Sequence, residues 1–302
     1  MAAAPDYTIR ESRHRGIRRV LALVLAFNLA VVVAKAVAGF LTDTLSVVAE
    51  ATHSSVDALN NVIGLALARV AARAPDEQHP YGHAKFETLG ALAVVAFLSV
   101  TVFELASEAV GRLLSGAARP AATPAVFAVM GASAVISYFV SRYELRRGVE
   151  FRSELLTADA AHTRSDMWAS LAVLAGLGFV AAGIAWADPV VTLVVAAMIA
   201  RAGWDILRTT IPVLVDERAV EEKTIRRIAL DTAGVAECYD VRSRGREGDI
   251  FAELTIAVRG TMDVESAHAI ADEVERRVAT DVGAREVVVH VEPARSPNDE
   301  VA

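Results

Sequence analysis

Six near-continuous apolar runs, each about 20 residues or longer, set the first limit on what this chain can fold into. Such a run crosses the hydrocarbon core of a bilayer as an α-helix, because in lipid every backbone N–H and C=O must find its partner within the segment. The runs fall at roughly 16–41, 44–72, 86–115, 121–142, 154–184 and 187–208, and they predict six membrane spans. Composition agrees: 54% of the 302 residues are hydrophobic and mean hydropathy is +0.40, above the usual range of soluble chains. TDT (42–44) and ADP (187–189) read as tight breaks. ARAPDEQHPYGHAK (72–85) and SRYELRRGVEFR (141–152) read as longer polar loops.

Basic residues then orient the bundle. Arg10, Arg13, Arg15, Arg18 and Arg19 precede the first span, Arg69, Arg73 and Lys85 flank the loop after the second, and Arg142, Arg146, Arg147 and Arg152 fill the loop after the fourth. The opposite connections hold only Arg112 and Arg119. This asymmetry predicts an integral protein of the cell (inner) membrane with both termini in the cytoplasm. The N-terminal stretch is too polar and too long for a signal peptide, so the first run is expected to stay as a span. A net charge of −7, with no basic block interleaved with aromatics, argues against nucleic acid as a partner. One cysteine, Cys238, allows no internal disulfide and no Cys-based zinc ribbon.

Beyond about residue 212 the composition becomes that of a soluble domain. ERAVEEKTIRRIALDTA is an amphipathic helix, ECYDVRSR and DIFAELTIAV are strands, DVESAHAIADEVERRVATD is a helix opened by an Asp cap, and REVVVHVEP is a last strand. The second strand alternates Ile250, Ala252, Leu254, Ile256 and Val258 on one face. The reading is therefore an α-helical membrane protein. A cytoplasmic leader (1–15) precedes a six-helix transmembrane bundle (16–210), a small cytoplasmic α+β domain of ferredoxin-like αββαβ type (211–293) and a disordered tail (294–302).

Two apolar runs carry the same interruption. His53 and Asp57 sit in the second, His162 and Asp166 in the fifth, each pair four residues apart and so one turn apart on one helix face. Ionisable groups within a span cost on the order of 2.5–3.5 kcal/mol each near the bilayer centre and by default mark function. Two such helices packed together offer two imidazoles and two carboxylates to one point. That donor set suits tetrahedral Zn²⁺, with Co²⁺ or Fe²⁺ as competitors, and suits Mg²⁺ or Ca²⁺ poorly. Ser54, Ser55, Asn60 and Asn61 beside one pair, and Thr163, Ser165 and Ser170 beside the other, supply small or hydrogen-bonding neighbours. Glu50 and Asp159 each lie three residues before a histidine of a pair, as hydrogen-bond partners, proton-path groups or structural acids. In the loop at 72–85, Asp76, His79 and His83 have the spacing of a metal clip.

In these stretches the chain resembles the cation diffusion facilitator family of divalent-metal exporters. LSVVAEATHSSVDALNN resembles the family's second span, LLTADAAHTRSDMWAS its fifth, DEQHPYGHAKFETLGAL its loop between the second and third spans, and the C-terminal αββαβ segment its cytoplasmic dimerisation domain. The resemblance covers about residues 16–293 and implies several assignments. His53, Asp57, His162 and Asp166 take the four transport-ligand positions, in a pattern usual for zinc transporters. Asp76, His79 and His83 match the loop metal site, and Lys85 and Asp216 match a charge pair that steadies the dimer. His268, His290 and Glu292 match metal positions of the cytoplasmic domain. There the chain departs from the pattern: Tyr239 and Thr255 stand where histidine is often found, which leaves open whether that domain holds two metals, one or none. Of seven histidines, only His14 falls at no family metal position.

The expected function is proton-coupled efflux of a divalent cation, Zn²⁺ first, by a homodimeric secondary transporter in the bilayer. Binding releases protons from the ligands, and imidazole carries them back in the physiological pH window. Zn²⁺ is the substrate and a candidate bound structural or regulatory ion, and no organic cofactor is expected. Fe²⁺, Co²⁺, Cd²⁺ or Ni²⁺ as main cargo, or a metal sensor or scaffold on the same fold, are the alternatives. An enzyme is disfavoured. H-E-x-x-H, G-x-S-x-G and the Walker A pattern are absent, and four protein ligands leave no open position for an activated water.

Overall fold

The computed structural model describes residues 7–42, 45–115, 124–182, 184, 186–246 and 248–294. It divides into two compact units, one of residues 8–210 and one built from residue 211 onward. Among the described residues the first unit holds six long helices: α1 (Tyr7–Thr42), α2 (Leu45–Ala71), α3 (Lys85–Ser115), α4 (Pro124–Glu150), α5 (Glu154–Ala181) and α6 (Ala187–Leu214). The 28 residues of α5 extend about 42 Å, more than the roughly 30 Å of a bilayer core. Three stretches, Glu11–Val33, Lys85–Ser115 and Ala187–Leu214, are long and apolar enough to cross a membrane by composition alone. In α5 the apolar run is interrupted by Glu154, Asp159, Arg164 and Asp166, all in its first half.

The helices pack around Leu21 and Val24 of α1, Leu65 and Ala68 of α2, Ala91, Val94 and Leu98 of α3, Leu155 and Leu156 of α5 and Ile199 of α6. Helices α4 and α5 pack along their length, and Gly148 permits it: a Cβ there would stand 2.8 Å from Thr157 Cγ2 and 3.0 Å from its backbone nitrogen. Between them the chain turns within three residues. Arg152 takes φ 48°, and Ser153 Oγ accepts from Leu156 N at 3.2 Å to cap α5.

Three details differ from the expectation. SRYELRRGVEFR is mostly not a loop, since α4 continues to Glu150 and leaves only a short turn; helix-forming Glu, Leu and Arg extend the helix, and Glu144 is fully buried in it. ADP is not a break but the start of α6, where Pro189 occupies the first turn and needs no intrahelical N–H bond. Helix α1 begins at Tyr7 rather than near residue 16, because Arg13 anchors this segment. Its guanidinium donates to Phe151 O at 2.6 Å and Arg152 O at 2.9 Å, and it bridges the buried Glu87 of α3 at 3.2 Å. The predicted tail lies, apart from Ala294, outside the described residues.

The second unit follows the order α-β-β-α-β. It comprises α7 (Glu222–Leu230), β1 (Glu237–Arg246), β2 (Asp249–Val258), α8 (Val264–Val282) and β3 (Ala284–Pro293). Strand β2 is central, antiparallel to β1 and parallel to β3. Ile250, Ala252, Leu254, Ile256 and Val258 are all buried, the last four in one core with Ile225 and Ile228 of α7 and Val274 and Val278 of α8. Each such aliphatic side chain contributes about 1.5–3 kcal/mol when buried. Asp263 caps α8 by accepting from Ser266 N at 2.8 Å, and Gly283 closes it in the left-handed region at φ 67°.

Candidate functional site

Helix α5 presents His162 and Asp166 one turn apart. His162 is 4% exposed and Asp166 is half-buried, and both line a cavity of about 290 Å³. Ser54 and Asn61 of α2, Thr101 and Glu104 of α3 and Ser133 and Ser137 of α4 complete much of its wall. The carboxylates of Asp166 and Glu104, one imidazole, and several hydroxyls and amides thus stand in one cavity wall beside apolar side chains such as Leu105 and Met130. The side chains of His53 and Asp57 lie outside the described residues. On the α2 backbone His53 directly precedes the cavity-lining Ser54, and Asp57 lies between Ser54 and Asn61, one turn before the latter.

A buried hydrogen-bond chain runs beside this chamber. Asn28 Nδ2 of α1 donates to Asn61 Oδ1 at 2.6 Å, and Asn61 Nδ2 reaches both carboxylate oxygens of Asp159 at 3.1 Å. On α4, Glu144 faces Asp159 and accepts from Thr163 Oγ1 at 3.0 Å. Ser165 Oγ donates to His162 O at 2.7 Å, which keeps that polar group satisfied within the helix. Glu144 is missing from the residues singled out in sequence, because Arg142, Arg146 and Arg147 surround it and suggest a solvated loop. The signal that marks it is the stripe Ser137, Ser141, Glu144 and Gly148, small or polar residues at helical spacing on one face.

The loop between α2 and α3 gathers Asp76, His79 and His83, with one ligand atom from each lying within 4.8 Å of the others. The Asp76 carboxylate organises it. Oδ1 accepts from the backbone nitrogens of Gln78 at 3.0 Å and His79 at 2.7 Å and lies 3.2 Å from His79 Nδ1, while Oδ2 lies 3.3 Å from His83 Nε2. His83 is buried, with Nδ1 3.1 Å from Ala74 O, and its ring centroid stands 4.3 Å from that of His79. The His79 backbone N–H foremost holds the Asp76 carboxyl below the usual range; desolvation opposes it, and the His79 side-chain bond and the nearby imidazoles add to the lowering.

In the second unit the sheet register places Tyr239, Thr255 and His290 side by side. Tyr239 Oη donates to Glu292, whose other oxygen lies 3.4 Å from His290 Nε2. His268 does not join them: it is exposed on α8, 3.7 Å from Asp272 of its own helix. Among the described residues, the only group of three or more His, Cys, Asp or Glu able to share one ion is the loop cluster, so one chain does not assemble His268, His290 and Glu292 into a centre. Lys85, exposed at the start of α3, and Asp216, in the left-handed region at φ 53° and 3.6 Å from Arg244, belong to different units. Cys238 is buried, and burial pushes its thiol up, away from the reactive thiolate.

Comparison with known proteins bears on both units. Residues 21–215 match the cation efflux transmembrane domain, and residues 218–294 match the cation efflux protein cytoplasmic domain. A transporter of Methanocaldococcus jannaschii is 30% identical over 92% of this chain and 99% of its own length. Metal tolerance protein C1 of Arabidopsis thaliana is 32% identical over 91% of this chain and 62% of its own. The manganese efflux system protein MneS of Bacillus subtilis is 27% identical over 86% of this chain and 89% of its own. Among solved structures, the manganese form of a variant MamM C-terminal domain aligns with 24% of this chain and 92% of its own at 26% identity and a TM-score of 0.23.

Proposed function

Because the chain belongs to the cation efflux family, we propose that it exports a divalent metal cation, Zn²⁺ before others, through His53, Asp57, His162 and Asp166 in exchange for protons. The observation that carries this reading is the cavity. Two residues of a ligand type, one helical turn apart on α5, line a chamber whose wall also includes Ser54 and Asn61 of α2, the helix whose sequence carries the matching pair. Two imidazoles and two carboxylates favour a four-coordinate ion of borderline softness, which ranks Zn²⁺ above oxygen-seeking, six-coordinate Mn²⁺.

The cycle follows from the ligands. Cation binding requires neutral imidazole and ionised carboxylate, so loading expels protons, and protons arriving from the far side expel the cation. The cargo meets no open coordination position for water activation, which makes this a carrier and not an enzyme. In this reading α1–α6 are six spans with both termini in the cytoplasm of a cell whose inner membrane holds the protein, and the second unit pairs two protomers into a homodimer. Asp76, His79 and His83 hold an accessory ion. His290 and Glu292, with Tyr239 hydrogen-bonded beside them, offer at most a weak site unless a second protomer completes it.

Manganese is the second reading, favoured by the likeness to a manganese efflux protein. Reconstituted protein with an imposed pH gradient and indicator for Zn²⁺ or Mn²⁺ inside the vesicles tests both. Gradient-driven Zn²⁺ uptake that disappears in Asp57→Ala/Asp166→Ala is the expected result. Folded protein silent to every divalent ion overturns the transport assignment in favour of a sensor or scaffold.

A further inference from the structure

Helices α2 and α5 each carry one of the proposed ligand pairs, and among the described residues they touch over a short stretch, while α4 and α5 pack along their length. At that short contact stands the Asn61–Asp159 pair, with Nδ2 of the amide 3.1 Å from each carboxylate oxygen. Both residues are buried, at 3% and 2% exposure. Asn61 lies one turn beyond Asp57, and Asp159 lies three residues before His162, so the bond crosses between the ligand helices about one turn from the ligands on each.

We propose that the Asn61–Asp159 hydrogen bond is the brace that sets the separation of the two ligand helices and thereby the choice among divalent cations. The proposal rests on the assignment of His53, Asp57, His162 and Asp166 to the transport site. Both are proposed as positioning residues, acting through the helices that carry the ligands.

A hydrogen bond to a carboxylate in a low-dielectric interior is among the stronger non-covalent ties, and breaking it strands a buried polar group. Asn61 has no slack to turn away, because its oxygen is taken by Asn28 of α1 at 2.6 Å. Glu144 of α4 also lies close to Asp159. The helix separation is therefore tied across α1, α2 and α5 by side chains of defined length. Ligand spacing decides which ion fits: Zn²⁺ takes N and O donors at about 2.0–2.2 Å in a tetrahedron, whereas Mn²⁺ accepts a wider, oxygen-rich shell. A loosened brace lets the cage widen and erodes that preference.

The test measures kcat/KM for Zn²⁺ and for Mn²⁺ in vesicles containing the full chain. Asn61→Asp sets two carboxylates against each other and is expected to shift the Zn²⁺:Mn²⁺ ratio by about tenfold or more, mainly through KM. Asp159→Asn keeps size and burial and is expected to shift the ratio in the same direction with less loss of folded protein. The exchange Asn61→Asp/Asp159→Asn restores one amide facing one carboxylate, which still accepts from Asn28, and is expected to return the ratio to within about threefold of wild type. A purely structural role lowers transport of both ions alike. A ratio unchanged by either single substitution, or an exchange no better than Asn61→Asp alone, overturns the proposal. Wild-type protein that moves neither ion overturns the transport assignment, and this proposal with it.

Discussion

His162 and Asp166 stand on α5, at the wall of a chamber shared by several helices, whereas Asp76, His79 and His83 stand on one short loop that brings its own partners. The loop group is complete within a few residues of chain, and Asp76 already holds both imidazoles and two backbone N–H groups before any ion arrives. A site of that kind retains an ion, because nothing in its construction lets the ligands separate. In the proposed function the chamber pair is half of a set, with its complement on α2. Ligands divided between two helices are drawn apart by any relative movement of α2 and α5, and a carrier must release what it binds. Two clusters of similar chemistry are thus suited to holding in one place and to passing on in the other.

The largest expected effect sharpens this contrast. His162→Ala or Asp166→Ala should reduce Zn²⁺ flux by about 100-fold, at the upper end of what removing a metal-binding contact costs. Single loop substitutions such as His79→Ala should leave flux within about tenfold of wild type. Equal losses at both places would erase the distinction between them.

Next in size is an effect on the frame that holds the chamber. Gly148→Val forces a branched side chain against Thr157 across the α4–α5 contact, where even a Cβ stands at 2.8 Å. A loss of about 1–3 kcal/mol, read as earlier unfolding in detergent, is expected for overpacking of this kind. Unchanged unfolding would show that α4 and α5 are free to separate, contrary to their close packing.

The third compares stoichiometry. Replacing Asp76, His79 and His83 together by alanine should remove one bound Zn²⁺ per chain in titration calorimetry while transport continues. Loss of all bound Zn²⁺ would mean that the chamber binds nothing on its own.

The smallest concerns pH in the ion-free loop. The Asp76 carboxyl is held below its ordinary value of 3.8, chiefly by the His79 N–H. A depressed carboxyl contributes order that is fully present above 3.8 and lost only as pH falls through its lower folded value. Hydrogen-exchange protection of the His79 amide should therefore persist to pH 3.8 and fade below it, whereas early loss on acidification to that point would place the carboxylate elsewhere.

How much of this was legible beforehand depended on whether a residue's partner lies near it in sequence. Hydropathy located the helical runs, and period-two alternation located β2, because both patterns report one element's own environment. The spacing Asp76, His79, His83 was readable for the same reason: a loop closes on itself. Glu144 was not readable, since its burial depends on Asp159 and Thr163 of another helix while its sequence neighbours are arginines. ADP looked like a break because Asp and Pro favour turns, yet both are equally at home in a helix's first turn, where Asp188 finds Arg112 of α3 at 2.9 Å. His268 matched a family position, but its exposed face of α8 does not bring it to His290 and Glu292 within one chain.

The most direct test of the central claim is zinc-edge X-ray absorption on Asp76→Ala/His79→Ala/His83→Ala protein loaded with one equivalent of Zn²⁺. A first shell of about four N and O donors at roughly 2.0–2.2 Å, with an imidazole signature that weakens on adding His162→Ala, is the predicted result. A spectrum unchanged by His162→Ala, or one showing only water and carboxylate oxygens, would contradict the assignment of the α2–α5 chamber as the place where the cargo is held.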